Sequence, residues 1–316
     1  MAAPSAVAGN RFIDPAVLAR IGNLELVART VVEGFLQGLH RSPNVGASTD
    51  FAEHRSYAPG DDIRRIDWKL LARTDRLYMK EYEAETNTNF VVLLDVSRSM
   101  TYGAGEGRMS KLEYGCTLAA CLAYLAGVQR DRIGLATFAS EIEEYVPPKS
   151  RQLMRVLHSL DRASKRATPA PERKLDVVAG TSLPFEALSD PLRRRSIVVV
   201  ISDLYEEPAR VAAALDQIRG RGNDLIVFQV MDPRELDFPF DDPGTFVDLE
   251  SGDRLPVIPD ALREEYRRQV TAHTAELERV LQDRRSDYAL FNTSQPLDSA
   301  LHTYLGLRRR VERRRR

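Results

Sequence analysis

The sequence has few cysteines, almost no net charge and no long apolar run. Cys116 and Cys121 are its 2 cysteines. They lie five positions apart in a predicted helix, so we expect buried core thiols and neither a disulfide nor a metal pair. Lysine plus arginine number 45 and aspartate plus glutamate 46, which gives no reason to expect nucleic acid as a partner. The longest apolar stretch, residues 117–128, is too short to span a membrane.

Signals for export and for several common enzyme classes are also missing. Residues 1–9 lack a basic start followed by a long apolar core, so we expect a cytoplasmic protein without a secretory signal. The five histidines are scattered without zinc-ligand spacing, and no G-x-S-x-G nucleophile elbow occurs. The glycines at 103, 105 and 107 lack the lysine of a phosphate-binding loop, so a flexible loop is the better interpretation.

Two apolar runs end in oxygen-bearing side chains. Phe90–Leu94 reads as a strand buried on both faces and is followed at once by Asp95–Ser99. Arg195–Ile201 reads as a second such strand and is followed by Ser202–Asp203. Between them, the glycine turn Ala179–Ser182 presents further hydroxyls. Since ligands bind at the carboxyl ends of strands in open α/β sheets, we expect these groups to meet there.

This pattern resembles the metal-ion-dependent adhesion site of von Willebrand factor A domains. The resemblance implies one divalent cation, Mg²⁺ or else Mn²⁺ or Ca²⁺, held by oxygens of Asp95, Ser97, Ser99, Thr181 and Asp203. The two serines and Thr181 would contact the metal directly, and the aspartates directly or through water. One position would remain for an acidic group on a partner. The alternative is that Asp95 and Ser99 merely cap the following turn.

A charged block precedes these strands. Residues 54–69 interleave acids and bases around the chain's single tryptophan, Trp68. In one interpretation Trp68 fills a gap in the core while Arg64 and Asp67 pair and hold the segment to the sheet. In the other, Arg64, Asp67 and Trp68 form a partner-binding surface beside the metal. The sequence leaves both interpretations open.

Several segments together resemble the bacterial DUF58 family. They are His54–Trp68, Ala72–Thr74, Lys80–Glu81 and Leu94–Met100. The resemblance runs from the N-terminal helix through Phe246–Glu250 to the C-terminal helix, and so covers nearly the whole chain. It implies a von Willebrand A-like domain that is associated with MoxR-type AAA+ ATPases. Many relatives carry N-terminal membrane helices, which this sequence lacks.

The order of predicted elements gives the fold. Alternating strands and helices predict an α/β domain at 87–307, with a mostly parallel sheet and helices on both faces. The resemblance implies that this domain is von Willebrand A-like (Rossmann-like). Residues 1–86 form an N-terminal helical and charged accessory segment, and a β-hairpin insertion lies near 245–257. The arginine-rich residues 308–316 form a basic tail, either a disordered end or a contact for an acidic surface or nucleic acid.

Local signals predict how individual elements begin and end. Ser110–Glu113 is a capping box, and Ser150 is expected to cap the next helix. Ser251–Gly252 predicts a tight hairpin turn. A long helix is predicted at Ala261–Gln282, with one face on the sheet, and a final helix at Pro296–Leu305.

Two functions compete at the predicted cation site. We favour a binding module without enzymatic activity, an adaptor that contacts a MoxR-type AAA+ ATPase, or a client protein, through an acidic residue of that partner. The alternative is a metal-dependent hydrolase in which the same cation activates water. The hydrolase needs a general base, and Asp203 and Asp61 are the candidates.

Overall fold

The chain divides into two compact units, residues 1–35 with 88–316 and residues 36–87. The computed structural model describes residues 23–41, 54–56, 71, 73, 77–80, 88–105, 108–165, 184–189, 192 and 195–315. In the smaller unit, two short strands pair antiparallel, with His54 opposite Lys80.

The described strands and helices alternate along most of the chain. The strands are β1 (His54–Ser56), β2 (Tyr78–Lys80), β3 (Asn89–Asp95), β4 (Arg132–Phe138), β5 (Ile142–Lys149), β6 (Ser196–Ser202), β7 (Asp224–Met231), β8 (Gly244–Val247), β9 (Arg254–Val257) and β10 (Asp287–Asn292). The helices are α1 (Leu24–Arg41), α2 (Lys111–Val128), α3 (Leu153–Lys165), α4 (Glu186–Ser189), α5 (Pro208–Arg219), α6 (Pro233–Asp237), α7 (Pro259–Asp283) and α8 (Leu297–Arg315).

A six-stranded sheet forms the centre of the larger unit. Its strand order is β10-β7-β6-β3-β4-β5. The first five strands of that order are parallel, and β5 pairs antiparallel with β4 at one edge. Strands β3 and β6 are fully buried along their length, as parallel strands covered on both faces must be. The predicted α/β, Rossmann-like fold with a mostly parallel sheet is therefore confirmed.

Alternate residues of β3 face opposite helical layers. Val91 and Leu93 belong to a core that α5 and α7 share. On the other face, Phe90 packs edge-on against Tyr304 of α8, with ring centroids 5.9 Å apart. Each strand residue therefore buries its apolar side chain against a helix on one face or the other, which explains the continuous apolar runs.

Helix α2 is buried on almost every side. The predicted capping box is confirmed, because the Glu113 amide donates to Ser110 Oγ (3.1 Å) and the Ser110 amide donates to Glu113 Oε2 (2.8 Å). Cys116 and Cys121 are fully buried and unpaired, as predicted, and burial raises the pKa of Cys121 to about 12. No helix within the described ranges, α2 included, is long and apolar enough to cross a bilayer.

Two helices differ from the sequence prediction. Helix α3 begins at Leu153, so Ser150 is not its cap. The side chain of Gln152 holds the start of α3 instead, by donating to the carbonyls of Ile133 (2.7 Å) and Pro147. In α7 the buried residues after Pro259 are Leu277, Val280 and Leu281, all in the C-terminal half. Leu262, which was predicted to lie on the buried face, is 43% exposed.

The last helix is longer than predicted. Helix α8 continues beyond Leu305 through most of the predicted tail, 308–316. Arg308 is buried and pairs with the carboxylate of Asp131 at 2.7 Å. Val311 is also buried. This part of the tail is thus folded against the sheet domain, and the expectation of a disordered end is wrong for it.

Candidate functional site

The carboxyl ends of β3 and β6 lie side by side. Because Leu94 pairs with Ile201 across the two parallel strands, Asp95 comes next to Ser202 and Asp203. The Ser202 hydroxyl donates to Asp95 Oδ2 at 2.5 Å, and both aspartates are almost completely buried. Two of the distant stretches that the sequence singled out therefore meet at one edge of the sheet.

The two serines of the Asp95–Ser99 segment are brought together by a tight turn. The amide of Ser97 donates to Asp95 Oδ1 at 2.9 Å, so the aspartate fixes the chain as it leaves β3. Ser99 opens a short 3₁₀ turn. The Oγ atoms of Ser97 and Ser99 then lie 3.1 Å apart, and both residues are partly exposed.

The carboxyl group of Asp95 is buried in a negatively charged setting. Burial raises the pKa of Asp95 to about 7, and the charge of Asp203 adds to the rise. Hydrogen bonds from Ser202 and Ser97 act in the opposite direction. Because burial and like charge both disfavour the ionised carboxylate, a nearby positive charge would stabilise it.

A buried lysine holds one side of the site. Lys111 is fully buried, and its Nζ lies 2.8 Å from Asp203 Oδ2 and 2.7 Å from Glu235 Oε1. The ring of Tyr205 covers the ammonium, with its centroid 4.7 Å from Nζ. One oxygen of Asp203 is therefore engaged by an ammonium group. Sequence reasoning missed this residue.

Hydrogen bonds at the start of α6 fix the position of Glu235. Asp232 caps α6 by accepting from the Arg234 amide (2.8 Å), while its own amide donates to Glu235 Oε2 (2.8 Å). Gly103 packs directly on this cap, since a Cβ at Gly103 would lie 2.5 Å from Asp232 Oδ2. Gly103 has a φ of +95°. This glycine allows the loop after β3 to close on the cap, a role that the flexible-loop interpretation did not include.

A carboxylate from the hairpin also reaches the site. The amide of Ser99 donates to Glu250 Oε1 at 2.7 Å. The connection between β8 and β9 runs over residues 248–253. The predicted two-residue turn at Ser251–Gly252 is therefore wrong. Asp248 shapes the longer turn, because its Oδ1 accepts from the amides of Glu250 and Ser251, both at 2.8 Å.

The residues present fit a hard divalent cation. Two neighbouring ligands of an octahedral Mg²⁺ at 2.0–2.1 Å lie about 3 Å apart, close to the 3.1 Å between Ser97 Oγ and Ser99 Oγ. Among the described residues no cluster of three His, Cys, Asp or Glu side chains forms a metal site. Any cation here would thus depend on serine hydroxyls with Asp95, a donor set that suits magnesium better than zinc.

Several predicted site residues lie outside the described residues. They are Thr181 of the proposed ligand set, Asp61 of the hydrolase alternative, and Arg64, Asp67 and Trp68 of the proposed docking surface. Their roles stay predictions.

Comparison with known proteins identifies relatives. The family described as "Protein of unknown function DUF58" matches residues 53–276. The uncharacterized protein Rv1480 of Mycobacterium tuberculosis is 29% identical over 271 residues, which is 85% of this chain and 82% of that protein. The uncharacterized protein Mb1516 of Mycobacterium bovis matches to the same extent.

Solved structures show weaker similarity. An aerotolerance-related membrane protein from Bacteroides fragilis is 17% identical with a TM-score of 0.43, over 67% of this chain and 94% of its own. The conserved hypothetical protein BatB from Bacteroides thetaiotaomicron is 16% identical with a TM-score of 0.40, over 69% and 97%. Because both scores are low, the description of the fold rests on the sheet topology itself.

Proposed function

The chain belongs to the DUF58 family, and we propose that it is a protein-binding module with a divalent cation at the carboxyl edge of its sheet. The site would be of the type found in von Willebrand factor A domains. The observation that supports this proposal best is the pair of serine hydroxyls 3.1 Å apart beside the buried carboxylate of Asp95.

Each proposed ligand has its own part in the site. Ser97, Ser99 and Thr181 would hold the cation directly, and Asp95 and Asp203 directly or through water. Bound Mg²⁺, Mn²⁺ or Ca²⁺ would supply positive charge that these ligands only partly neutralise. The exposed side of the serine pair would then attract an acidic side chain of a partner.

The position of Lys111 favours binding over hydrolysis. A metal-dependent hydrolase needs a general base that is free to take a proton from water. Asp203, the described candidate for that base, has Oδ2 engaged by the Lys111 ammonium at 2.8 Å. This arrangement suits a group that positions its neighbours, so we propose that the protein is not an enzyme.

The proposed partner is a MoxR-type AAA+ ATPase, or a client protein delivered to one, that presents an aspartate or glutamate. The chain would act as a cytoplasmic adaptor in protein remodelling or complex assembly. The composition does not call for nucleic acid as a partner, because acidic and basic residues are balanced.

A binding assay tests this proposal. The purified chain is immobilised, and binding of the MoxR-type ATPase from the same organism is measured with Mg²⁺ and with EDTA. We expect binding that requires Mg²⁺ and that Asp95→Ala abolishes. Asp283→Ala, which removes an exposed carboxylate at the end of α7, serves as the matched control. Binding that survives both EDTA and Asp95→Ala would contradict the proposal.

A further inference from the structure

Glu250 reaches the site from outside the sheet edge and its supporting helices. It lies in the β8–β9 connection, 151 residues from Ser99, whose amide donates to Glu250 Oε1 at 2.7 Å. The hydroxyl of Ser99 belongs to the serine pair with Ser97. The hairpin thus places a carboxylate at the residue pair to which we assign cation binding.

The turn that carries Glu250 is fixed by its own hydrogen bonds. Asp248 accepts from the amides of Glu250 and Ser251, and the Gly252 amide donates to the Asp248 carbonyl at 2.9 Å. The bonds to its carboxylate also lower the pKa of Asp248, the Ser251 amide most. Gly252 takes a φ of +78° in this turn. The backbone at Glu250 is therefore held in place before any ligand binds.

Several other carboxyl groups lie near Glu250. The nearby carboxyl group of Glu206 has a raised pKa, caused first by burial and then by the charges of Asp203 and Glu250. The ammonium of Lys111 is already shared between Asp203 and Glu235. A cation bound at this edge would therefore offset the negative charge of these carboxylates.

The contact of Glu250 is weak enough to be exchanged. Glu250 is exposed to solvent, and an exposed hydrogen bond of this kind changes an equilibrium by only about fivefold. A carboxylate from a partner could therefore replace it.

We propose that Glu250 is the chain's own carboxylate ligand for the cation site. It occupies the position that a partner's acidic group would take, and the hairpin has to release it before the partner binds. This inference rests on the proposed cation site and identifies how access to that site is controlled.

Manganese titration of the full chain tests the inference. Mn²⁺ is followed by its electron paramagnetic resonance signal and by the relaxation of water protons, which reports how much water remains on the bound ion. The variants are Glu250→Gln and the control Asp253→Asn, which removes an exposed carboxylate from the same hairpin. Acetate serves as the probe carboxylate.

We expect Glu250→Gln to bind Mn²⁺ on the order of tenfold more weakly, because one charged ligand is lost. Water relaxation per bound ion should be higher than in the wild type. Added acetate should lower it in Glu250→Gln at concentrations that leave the wild type unchanged, because in the wild type acetate has to compete with the chain's own carboxylate. Asp253→Asn should behave like the wild type.

Other results would overturn the inference in distinguishable ways. Equal Mn²⁺ affinity and equal water relaxation in the wild type and Glu250→Gln would remove Glu250 from the site and leave the cation site standing. The same change in Asp253→Asn would show a general charge effect and no ligand role. Absence of Mn²⁺ binding from wild type and variants alike would overturn the cation site and this inference with it.

Discussion

Replacing Asp95 with asparagine is expected to stabilise the protein when divalent cations are absent. The carboxylate of Asp95 is buried next to that of Asp203, and together these effects raise its pKa to about 7. Asparagine has nearly the same size and keeps an oxygen at this position, but it carries no charge. The substitution therefore removes an unfavourable buried charge while it also removes a proposed metal ligand.

The expected gain follows from the pKa shift. A rise from 3.8 to about 7 is about three units, and at about 1.4 kcal/mol per unit the buried charge costs at most about 4 kcal/mol. The hydrogen bonds that Ser97 and Ser202 donate to this carboxylate lower its pKa and are therefore already included in that shift. The expected gain is thus up to about 4 kcal/mol at pH 8, or a Tm higher by up to about 8 °C.

The pH dependence has a defined sign. Between pH 3.8 and about 7 the folded Asp95 carboxyl retains its proton while the unfolded one has lost it. Since the folded state then binds more protons, the wild type loses stability as the pH rises through this window. The asparagine of the variant does not titrate. The difference in Tm between variant and wild type should therefore be small at pH 4, grow towards pH 7 and stay constant above pH 8.

Thermal unfolding followed by circular dichroism, in EDTA between pH 4 and 8.5, measures this difference. Asp253→Asn, at an exposed position, is the control and should follow the wild type. Added Mg²⁺ should raise the Tm of the wild type but not of Asp95→Asn, because binding to the folded state stabilises it. A variant that is less stable than the wild type in EDTA at pH 8, or a gap that does not change with pH, would refute the reasoning.

Two further predictions concern the groups that support the site. Lys111→Met removes the ammonium from between two largely buried carboxylates and should lower the free energy of unfolding by about 3–5 kcal/mol in urea denaturation. The control Lys165→Met breaks an exposed ion pair and should leave the urea midpoint almost unchanged. Equal effects of the two substitutions would contradict the role of burial. Gly103→Ala should lower the free energy of unfolding by about 2–4 kcal/mol, since the new Cβ would clash with Asp232 and the φ is unfavourable for alanine. Gly105 has a similar φ of +117° but open space around it, so Gly105→Ala should lower the free energy of unfolding by only about 1 kcal/mol. Equal losses for the two alanines would show that backbone strain alone matters.

The sheet edge could be predicted from the sequence because its signals are local. The runs Phe90–Leu94 and 196–201 have no charge to place at the surface, so they had to be buried strands. Once both are parallel neighbours in one sheet, Asp95 and Asp203 must lie at the same end. The pattern of residues along each strand was enough for this, and the sheet topology confirms it.

The groups that complete the site could not be predicted in the same way. Lys111 and Glu250 reach the site through contacts 92 and 151 residues apart in sequence, and no local pattern encodes such distances. Lys111 did leave a signal, because a cation in the first turn of a largely apolar helix is opposed by the helix dipole. A buried partner was the natural explanation. Glu250 reads as an ordinary hairpin residue.

Some predictions were wrong because a neighbouring element decides the outcome. Ser150 has the right chemistry for a helix cap, but Gln152 makes the tertiary hydrogen bonds that hold the start of α3. The apolar periodicity of α7 includes Leu262, which remains 43% exposed. The arginines beyond Leu305 suggested a free tail, yet the buried pair of Arg308 with Asp131 extends α8.

Calorimetric titration with Mg²⁺ tests the central claim most directly. The wild type should bind one Mg²⁺ per chain. The double variant, Ser97→Ala with Ser99→Ala, should bind Mg²⁺ at least about tenfold more weakly. The control Ser299→Ala, at an exposed helix position, should match the wild type. No saturable binding to the wild type, or equal binding by the double variant, would contradict the claim that these two hydroxyls hold a cation.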